Sequence, residues 1–518
     1  MSKLLIPPTD GVTVRMYRQG HGDCFLLAFA TDNPAKPYYV LIDCGLKPGS
    51  QDFIHPSPTA ETGFRKGPKI EEIVKHIGDS TGNHLDLMIV THEHQDHLNG
   101  IWKKTKPYFQ NLAIDKAWFA WTEDPDDELA NTLRQRHKDQ LLGLLEARKQ
   151  LVALAADDDG LRRLNRLDSL LELETGSEKA AFGTEDFFAA DKDITRSVNK
   201  QGLKLIKDKA AAHGGIEYLM PGDEREIAAS RTKVYVFGPP RDEDLLTDED
   251  PRGTEAFPDD DSPANGFSML AAANTAPGDR KSPFDARFHL SFSDSKPGQF
   301  VADYYGHDES DEQADKAEVA ADAPWRRIDH EWLYSAESLA LQLNTGINNT
   351  SLVLAFELPR SGKVLLFAGD AQRGNWISWP QNTWRSGDEE VTVRELLGRT
   401  VLYKVAHHCS HNATLAGQTA DEYPNLSWMA TGKYASEFTA MITAVNKWAL
   451  TKNNPPWRHP LPSIRRALEE KTSGRIFQTD QAAFTRKATL PAPAWDAFLS
   501  RATVEEMYFD YVIHDTAL

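Results

Sequence analysis

A chain of 518 residues, 40% hydrophobic and 26% charged, is long enough to bury a large core and still carry insertions. Its formal net charge of −19 excludes a protein whose whole surface clamps nucleic acid, while leaving room for a local basic groove. Three cysteines are too few for a disulfide framework and fit a reducing compartment. The apolar start of the chain is too short for a signal peptide, and no window approaches the ~20 apolar residues of a membrane span. The expectation is a cytoplasmic protein with no membrane partner.

Residues 12–17 alternate as a strand and give way to Gly20-His21-Gly22-Asp23. Two further strands are expected at 24–29 and 38–42, the second ending at Asp43-Cys44-Gly45, and an amphipathic helix at 69–77. The apolar run 85–90 then reads as a buried strand that delivers Thr91-His92-Glu93-His94-Gln95-Asp96-His97 into a loop. Residues 1–122 therefore alternate strands and helices, the pattern of a layered α/β domain.

Residues 123–230 read as a mainly helical insertion, with leucines at helical spacing and a hairpin break at Asp157-Asp158-Asp159-Gly160. Sustained heptads are absent, which favours a packed insertion over a coiled coil. A core strand follows within 231–241, closed by Gly238-Pro239-Pro240. Residues 242–324 are acidic and rich in Pro, Gly and Ser, an insertion expected to be partly disordered and to carry much of the negative charge. Order is expected again over 325–518, with a helix near 331–343 and strands at 351–356 and 363–367 joined through Arg360-Ser361-Gly362. The second of these ends at Ala368-Gly369-Asp370. A later strand at 401–406 ends at His407-His408-Cys409-Ser410-His411, and a helix is expected at 461–470.

Three strand ends thus carry metal-ligand side chains. A two-metal site wants imidazole nitrogens and a carboxylate bridge between ions ~3.5–4 Å apart, and Asp370 is the natural bridge. His92, His94 and Asp370 would bind a first ion; Asp96, His97, Asp370 and one of the tandem histidines would bind a second. His408 is taken as that ligand and His407 as a contact to substrate or leaving group, the reverse assignment staying open. Asp43 reads equally as the partner orienting a ligating imidazole and as a turn residue before Gly45. Asp23 reads more readily as a turn, His21 as a surface-loop histidine and His411 as a neighbour of the site. His459 either lies over the cleft or caps the helix at 461–470. The three cysteines, each beside one of these motifs, read as small buried hydrophobes.

The segments Thr91-His92-Glu93-His94-Gln95-Asp96-His97, Ala368-Gly369-Asp370 and Lys404-Val405-Ala406-His407-His408-Cys409-Ser410 together resemble the metallo-β-lactamase fold superfamily. Within it, Gly20-His21-Gly22-Asp23-Cys24, Asn348-Asn349-Thr350-Ser351-Leu352, the tandem histidines, Arg458-His459-Pro460 and Thr479-Asp480 are similar to the soluble metallo-hydrolase domain of bacterial DNA-uptake competence proteins. The resemblance covers half of the chain, in blocks split by the two insertions. It implies an αββα sandwich whose halves are 1–122 and 325–518, with the strand of 231–241 between the insertions. It also implies two divalent ions, Zn²⁺ or Mn²⁺, and phosphodiesterase or nuclease chemistry in which a hydroxide bridging the ions, held in line by Asp96, attacks the ester. The chain departs from the family in having no histidine from 331 to 370, where an additional ligand of the first ion is usual. Asn348 or Asn349 falls there instead, which implies a weakly held first ion.

Arg458, Arg465, Arg466, Lys471 and Arg475 near His459 fit a phosphodiester or nucleic-acid substrate, and equally the charged flank of a helix. The alternatives are a hydrolase of a small ester (a phosphocholine ester, lactone or thioester) whose insertions roof the cleft, and a non-catalytic module whose insertions recruit a protein partner.

Overall fold

The computed structural model describes residues 4–154, 164–165, 167–168, 170–172, 197–258, 346–386, 389–452 and 456–517. Its strands up to the first long helix are β1 (Gly11–Tyr17), β2 (Phe25–Phe29), β3 (Tyr38–Ile42), β4 (His55–Pro56), β5 (Phe64–Arg65), β6 (His84–Ile89) and β7 (Ala113–Ala120). The middle of the chain adds β8 (Gly215–Leu219), β9 (Glu224–Ile227), β10 (Thr232–Gly238), β11 (Val353–Glu357) and β12 (Val364–Phe367). Then come β13 (Thr383–Ser386), β14 (Glu389–Thr392), β15 (Thr400–Lys404), β16 (Thr439–Ile442), β17 (Ile476–Gln478), β18 (Ala502–Val504) and β19 (Tyr508–His514).

Two mixed sheets result. The first has the order β18-β19-β1-β2-β3-β6-β7-β8, and the second β17-β16-β15-β12-β11-β10-β9; β4/β5 and β13/β14 are small ribbons. Strands β3, β6, β7 and β8 run parallel to one another, as do β12, β15, β16 and β17. Parallel strands are covered on both faces, which is why their sequences are nearly unbroken apolar runs such as Val364-Leu365-Leu366-Phe367.

The inner faces of the two sheets share one core. Phe25 packs edge-on against Phe367 with centroids 5.4 Å apart, and Phe29 stacks on Phe356 at 6.0 Å. The outer face of the first sheet is covered by helices Ile70–Thr81, Lys106–Asn111 and Val198–Ala211 through Ile73, Ile77, Phe109 and Ile206. Helices Arg373–Ser378, Val393–Gly398 and Pro462–Lys471 cover the second through Trp376, Leu396, Ile464 and Leu468. The layering is helix, sheet, sheet, helix, an α/β architecture. The first helix runs four residues past its expected end and stops at Gly82, whose φ of 66° suits a residue without a Cβ.

The segment 123–230 departs from the mainly helical insertion expected of it. It does contain helices Glu128–Leu154 and Val198–Ala211, yet it ends in β8 and β9, one on the edge of each sheet. Both are short and mostly half-buried, and each is broken by charged residues (Glu217 in β8; Glu224, Arg225 and Glu226 in β9), so neither shows the unbroken apolar run that marks the central strands. The start of the acidic stretch is also built into the fold: Asp248 and Glu255 both pair with Arg373. The hairpin break at 157–160, the remainder of the acidic insertion from 259 and the helix near 331–343 lie outside the described residues. No helix among the described residues is long and apolar enough to cross a membrane.

Candidate metal centre

In open α/β sheets, ligand chemistry collects beyond the carboxyl ends of parallel strands. Here β3 leads to Asp43, β6 to His92–His97, β12 to Asp370, β15 to Lys404 and His408, and β16 to Thr443. Asp43 ties the first of these ends together. Its carboxylate accepts from the Thr91 N–H at 2.8 Å, the Thr91 hydroxyl at 2.6 Å and His97 Nδ1 at 2.8 Å. With Nδ1 spent on Asp43, the His97 ring presents Nε2 to the site, 3.2 Å from Asp370 Oδ2. The loop residue expected equally as a turn is thus an orienting carboxylate.

Asp370 is aimed by its neighbours. Its N–H donates to Ser351 Oγ at 2.9 Å, and Gly369 before it has φ 52° with Ser351 and Thr91 side chains about where a Cβ would sit. One carboxylate oxygen, Oδ2, lies 3.2 Å from both His97 Nε2 and His408 Nε2 and 3.9 Å from His92 Nε2. His408 Nε2 also lies 3.0 Å from Asp96 Oδ2, while its Nδ1 is 3.0 Å from Thr443 Oγ1. His407, His408 and Cys409 all have positive φ (38°, 49° and 61°), a strained left-handed run that turns the two imidazoles apart.

Asp96, His97, Asp370 and His408 each offer one donor atom, all within 4.8 Å of one another, and all four are buried. The electrostatics fit a cation. Burial disfavours charge on His97 and His408, yet Asp370 and its neighbours hold both imidazoles up, His408 at about 9. Asp96 and Asp370 are buried too, but Lys47 with His408, and His408 with His97, hold them well below the usual carboxylate range. Four carboxylates (Asp23, Asp43, Asp96, Asp370) face two ammonium groups (Lys47, Lys404), so the balance of charge rests on the protons of His97 and His408, which a divalent ion would replace. Asp96 Oδ1 and Asp370 Oδ1 are buried with no hydrogen-bond partner and face only the ammonium groups of Lys47 at 3.4 Å and Lys404 at 3.5 Å, so each keeps lone pairs that a divalent ion could take. A second grouping, Asp23, Asp43 and His97, also has the spacing of a metal site. Its oxygens are already taken by Thr91, His97, Thr443 and Lys404, so the open donors belong to the first group.

The first-ion set is thinner. His92 Nε2 and His94 Nδ1 are 3.1 Å apart, but these two residues fall outside the closed group. Asn348 is buried with its Nδ2 3.3 Å from His407 Nε2 and its Oδ1 without a hydrogen-bond partner. Asn349 turns its side chain to the segment that follows Asp370. Its Oδ1 accepts the Gln372 N–H at 3.0 Å and its Nδ2 donates to the Asp248 carbonyl at 2.9 Å, clamping the start of helix Arg373–Ser378. His407 stands beside the donor group rather than in it, held through Nδ1 by Asn412 Oδ1 at 2.8 Å and Ser410 Oγ at 2.7 Å.

His21 is buried rather than on a surface loop, its ring 4.4 Å from that of His408. His459 stacks on it at 5.4 Å and lies 5.8 Å from His407, while the helix at Pro462 has no side-chain cap. His411 is exposed and pairs with Asp250 at 2.7 Å. Glu93 pairs with Lys200 in a half-buried chain that includes Glu123; burial and Glu123 push its carboxyl up to about 8. A cleft of about 830 Å³ runs beside His92, bounded also by Thr91, Glu93, Arg134, Lys200 and Thr350.

One of the basic residues near His459 is internal: Arg475 is buried and donates to the carbonyls of Phe438 and Ala435. Arg465 is half-buried and pairs with Glu469 at 2.8 Å. The three cysteines are free and buried, and burial pushes the Cys409 thiol up to about 12, which disfavours Cys409 as a thiolate ligand. Sequence reasoning passed over Lys47, Lys404 and Thr443. Only Lys404 left a signal, an ionisable residue inside the apolar run Val401-Leu402-Tyr403-Lys404-Val405-Ala406.

Compared with protein-family models, with curated proteins and with solved structures, the chain matches none.

Proposed function

We propose that the protein is a metal-dependent hydrolase on a metallo-β-lactamase-like sandwich, resembling the soluble domain of DNA-uptake competence proteins, and that it cleaves a phosphodiester. The observation that carries this reading is the buried convergence of Asp96, His97, Asp370 and His408 from the ends of β6, β12 and β15. These four would hold one divalent ion, Zn²⁺ or Mn²⁺, and His92, His94 and Asp370 a second. A bound ion there supplies Lewis-acid polarisation of the scissile bond and acidifies water.

The chain's own residues do the rest. Asp43 and Thr443 fix His97 and His408 with Nε2 inward. Asp96 Oδ1, buried and without a hydrogen-bond partner, is an acceptor for a proton of the attacking water. Lys47, 3.4 Å from that oxygen, adds positive charge where a phosphoryl oxygen would develop negative charge. His407 contacts substrate at the mouth. The test is hydrolysis of a generic phosphodiester and of single- and double-stranded DNA and RNA with Mn²⁺ or Zn²⁺. Turnover that disappears in Asp370→Ala is expected; no turnover by the wild-type protein on any of them sinks the reading.

Small-ester hydrolysis is the second reading, and the cleft favours it. At about 830 Å³ it has the volume of a small-ligand pocket, and Arg465 and Arg475 are not arranged as a polymer groove. Phosphocholine esters, lactones and thioesters in the same assay separate the two.

A further inference from the structure

We infer that Asp23 is a positioning residue that sets two donors of the metal centre, His408 and Asp370, at once; this rests on the metal-centre reading above. Each of its carboxylate oxygens has a separate task. Oδ1 accepts the Thr443 hydroxyl at 2.6 Å, so the Thr443 oxygen is left to accept from His408 Nδ1 at 3.0 Å. That fixes the His408 proton on Nδ1 and turns its Nε2 toward Asp96 and Asp370. Oδ2 pairs with the buried ammonium of Lys404, which also donates to the Gly369 carbonyl at 2.7 Å and lies 3.5 Å from Asp370 Oδ1. With Oδ1 of Asp370 facing Lys404, the single oxygen Oδ2 is presented to His97, His408 and His92.

Asp23 is suited to this because it is itself immobile. Its N–H donates to the Asp96 carbonyl at 3.0 Å and its carbonyl accepts from Gly45 at 3.0 Å. The preceding Gly22 has φ 145°, and its N–H reaches across to the Thr443 carbonyl at 3.2 Å. Both Asp23 oxygens are held by Thr443 and Lys404, and Asp23 is not among the four clustered donors, so it acts through its neighbours. Asp43 does for His97 what Asp23 does for His408, but only Asp23 reaches a carboxylate ligand as well, through Lys404.

The experiment uses the full-length protein stripped with chelator and titrated with Co²⁺ alone, read by its visible d–d band, with Zn²⁺ affinity from calorimetry and folding from melting curves. Asp23→Asn keeps the shape and one acceptor but removes the charge. It is expected to weaken binding about 10–100-fold and to alter the band shape. Thr443→Val weakens binding less, acting on His408 alone, and Thr443→Ser restores it because the hydroxyl returns. In the double variant Thr443→Val costs less than it does by itself, since its anchor is already impaired. A folded Asp23→Asn protein with wild-type affinity and band overturns the inference, as does full additivity. If Asp23→Asn does not fold, the Thr443 pair decides: loss in Val with recovery in Ser supports the inference, and wild-type affinity in Val overturns it. Wild-type protein that takes up no Co²⁺ overturns the metal-centre reading and this inference together, an outcome distinct from the others.

Discussion

His408 shows how much of the site is set by charge. One ring nitrogen faces the carboxylates of Asp96 and Asp370 and the other faces Thr443, and in the metal-free protein the imidazole is held up to about 9 from an ordinary 6.5. A folded-state value above the unfolded one means the folded protein binds an extra proton between the two. That stability is fully present below about 6.5 and is lost as pH rises through about 9. His97 is displaced in the same direction. Chelator-treated protein should therefore melt at progressively lower temperature from pH 6.5 to 9, and His408→Gln should flatten that slope. Because metal ligands must be deprotonated, added Zn²⁺ should remove or reverse it. A metal-free melting temperature that stays level or climbs over this range is inconsistent with the charge balance described for the site.

The same site depends at the element scale on loops that bring backbone into contact. Gly22 sits between β1 and β2, where a Cβ would come within 2.5 Å of the Asp96 carbonyl oxygen and 2.7 Å of that of Gly45. Neither neighbour is a flexible side-chain end. Gly63 is the useful control, since it shares a positive φ (77°) but nothing lies within 4 Å of a Cβ there. Gly63→Ala should cost only the conformational penalty of about 1–2 kcal/mol. Gly22→Ala should cost more, and should also lower Co²⁺ affinity by displacing Asp96; equal melting shifts with unchanged affinity would remove the close-approach argument. This loop also marks where the sequence was readable. The run Thr91–His97, Asp370 and His408 stood out because ligand-type side chains are dense after apolar strands. Asp23 did not, since its partners Lys404 and Thr443 come from β15 and its neighbour β16, and pairing across that span leaves no local pattern. The partners of Asn349 were illegible for the same reason: Gln372 and Asp248 are tertiary. Strands β8 and β9 were missed because short, half-buried edge strands broken by charged residues lack the apolar runs of β6 or β12.

At the scale of the whole molecule, the donor group spans the two sheets. Asp96 and His97 follow β6 of the first sheet; Asp370 and His408 follow β12 and β15 of the second. Without a metal ion, the carboxylates at the point where the sheets meet are balanced by the ammonium groups of Lys47 and Lys404 and by protons on His97 and His408, so the apo protein carries a cluster of buried opposed charges along the seam of its own core. An ion bound there joins the layers as a cross-link, and its binding energy adds directly to folding stability. Saturating the stripped protein with Zn²⁺ or Mn²⁺ at 100 times Kd should stabilise it by about 2.7 kcal/mol, read as a rise in melting temperature. Removing one donor from either side of the seam should abolish the rise, so Asp96→Asn on the first sheet and Asp370→Asn on the second are expected to behave alike. A metal-induced rise that survives in Asp370→Asn would locate the ion elsewhere. One that is lost in Asp370→Asn but retained in Asp96→Asn would place it on the His92 and His94 side, within reach of the Asp370 bridge but not of Asp96.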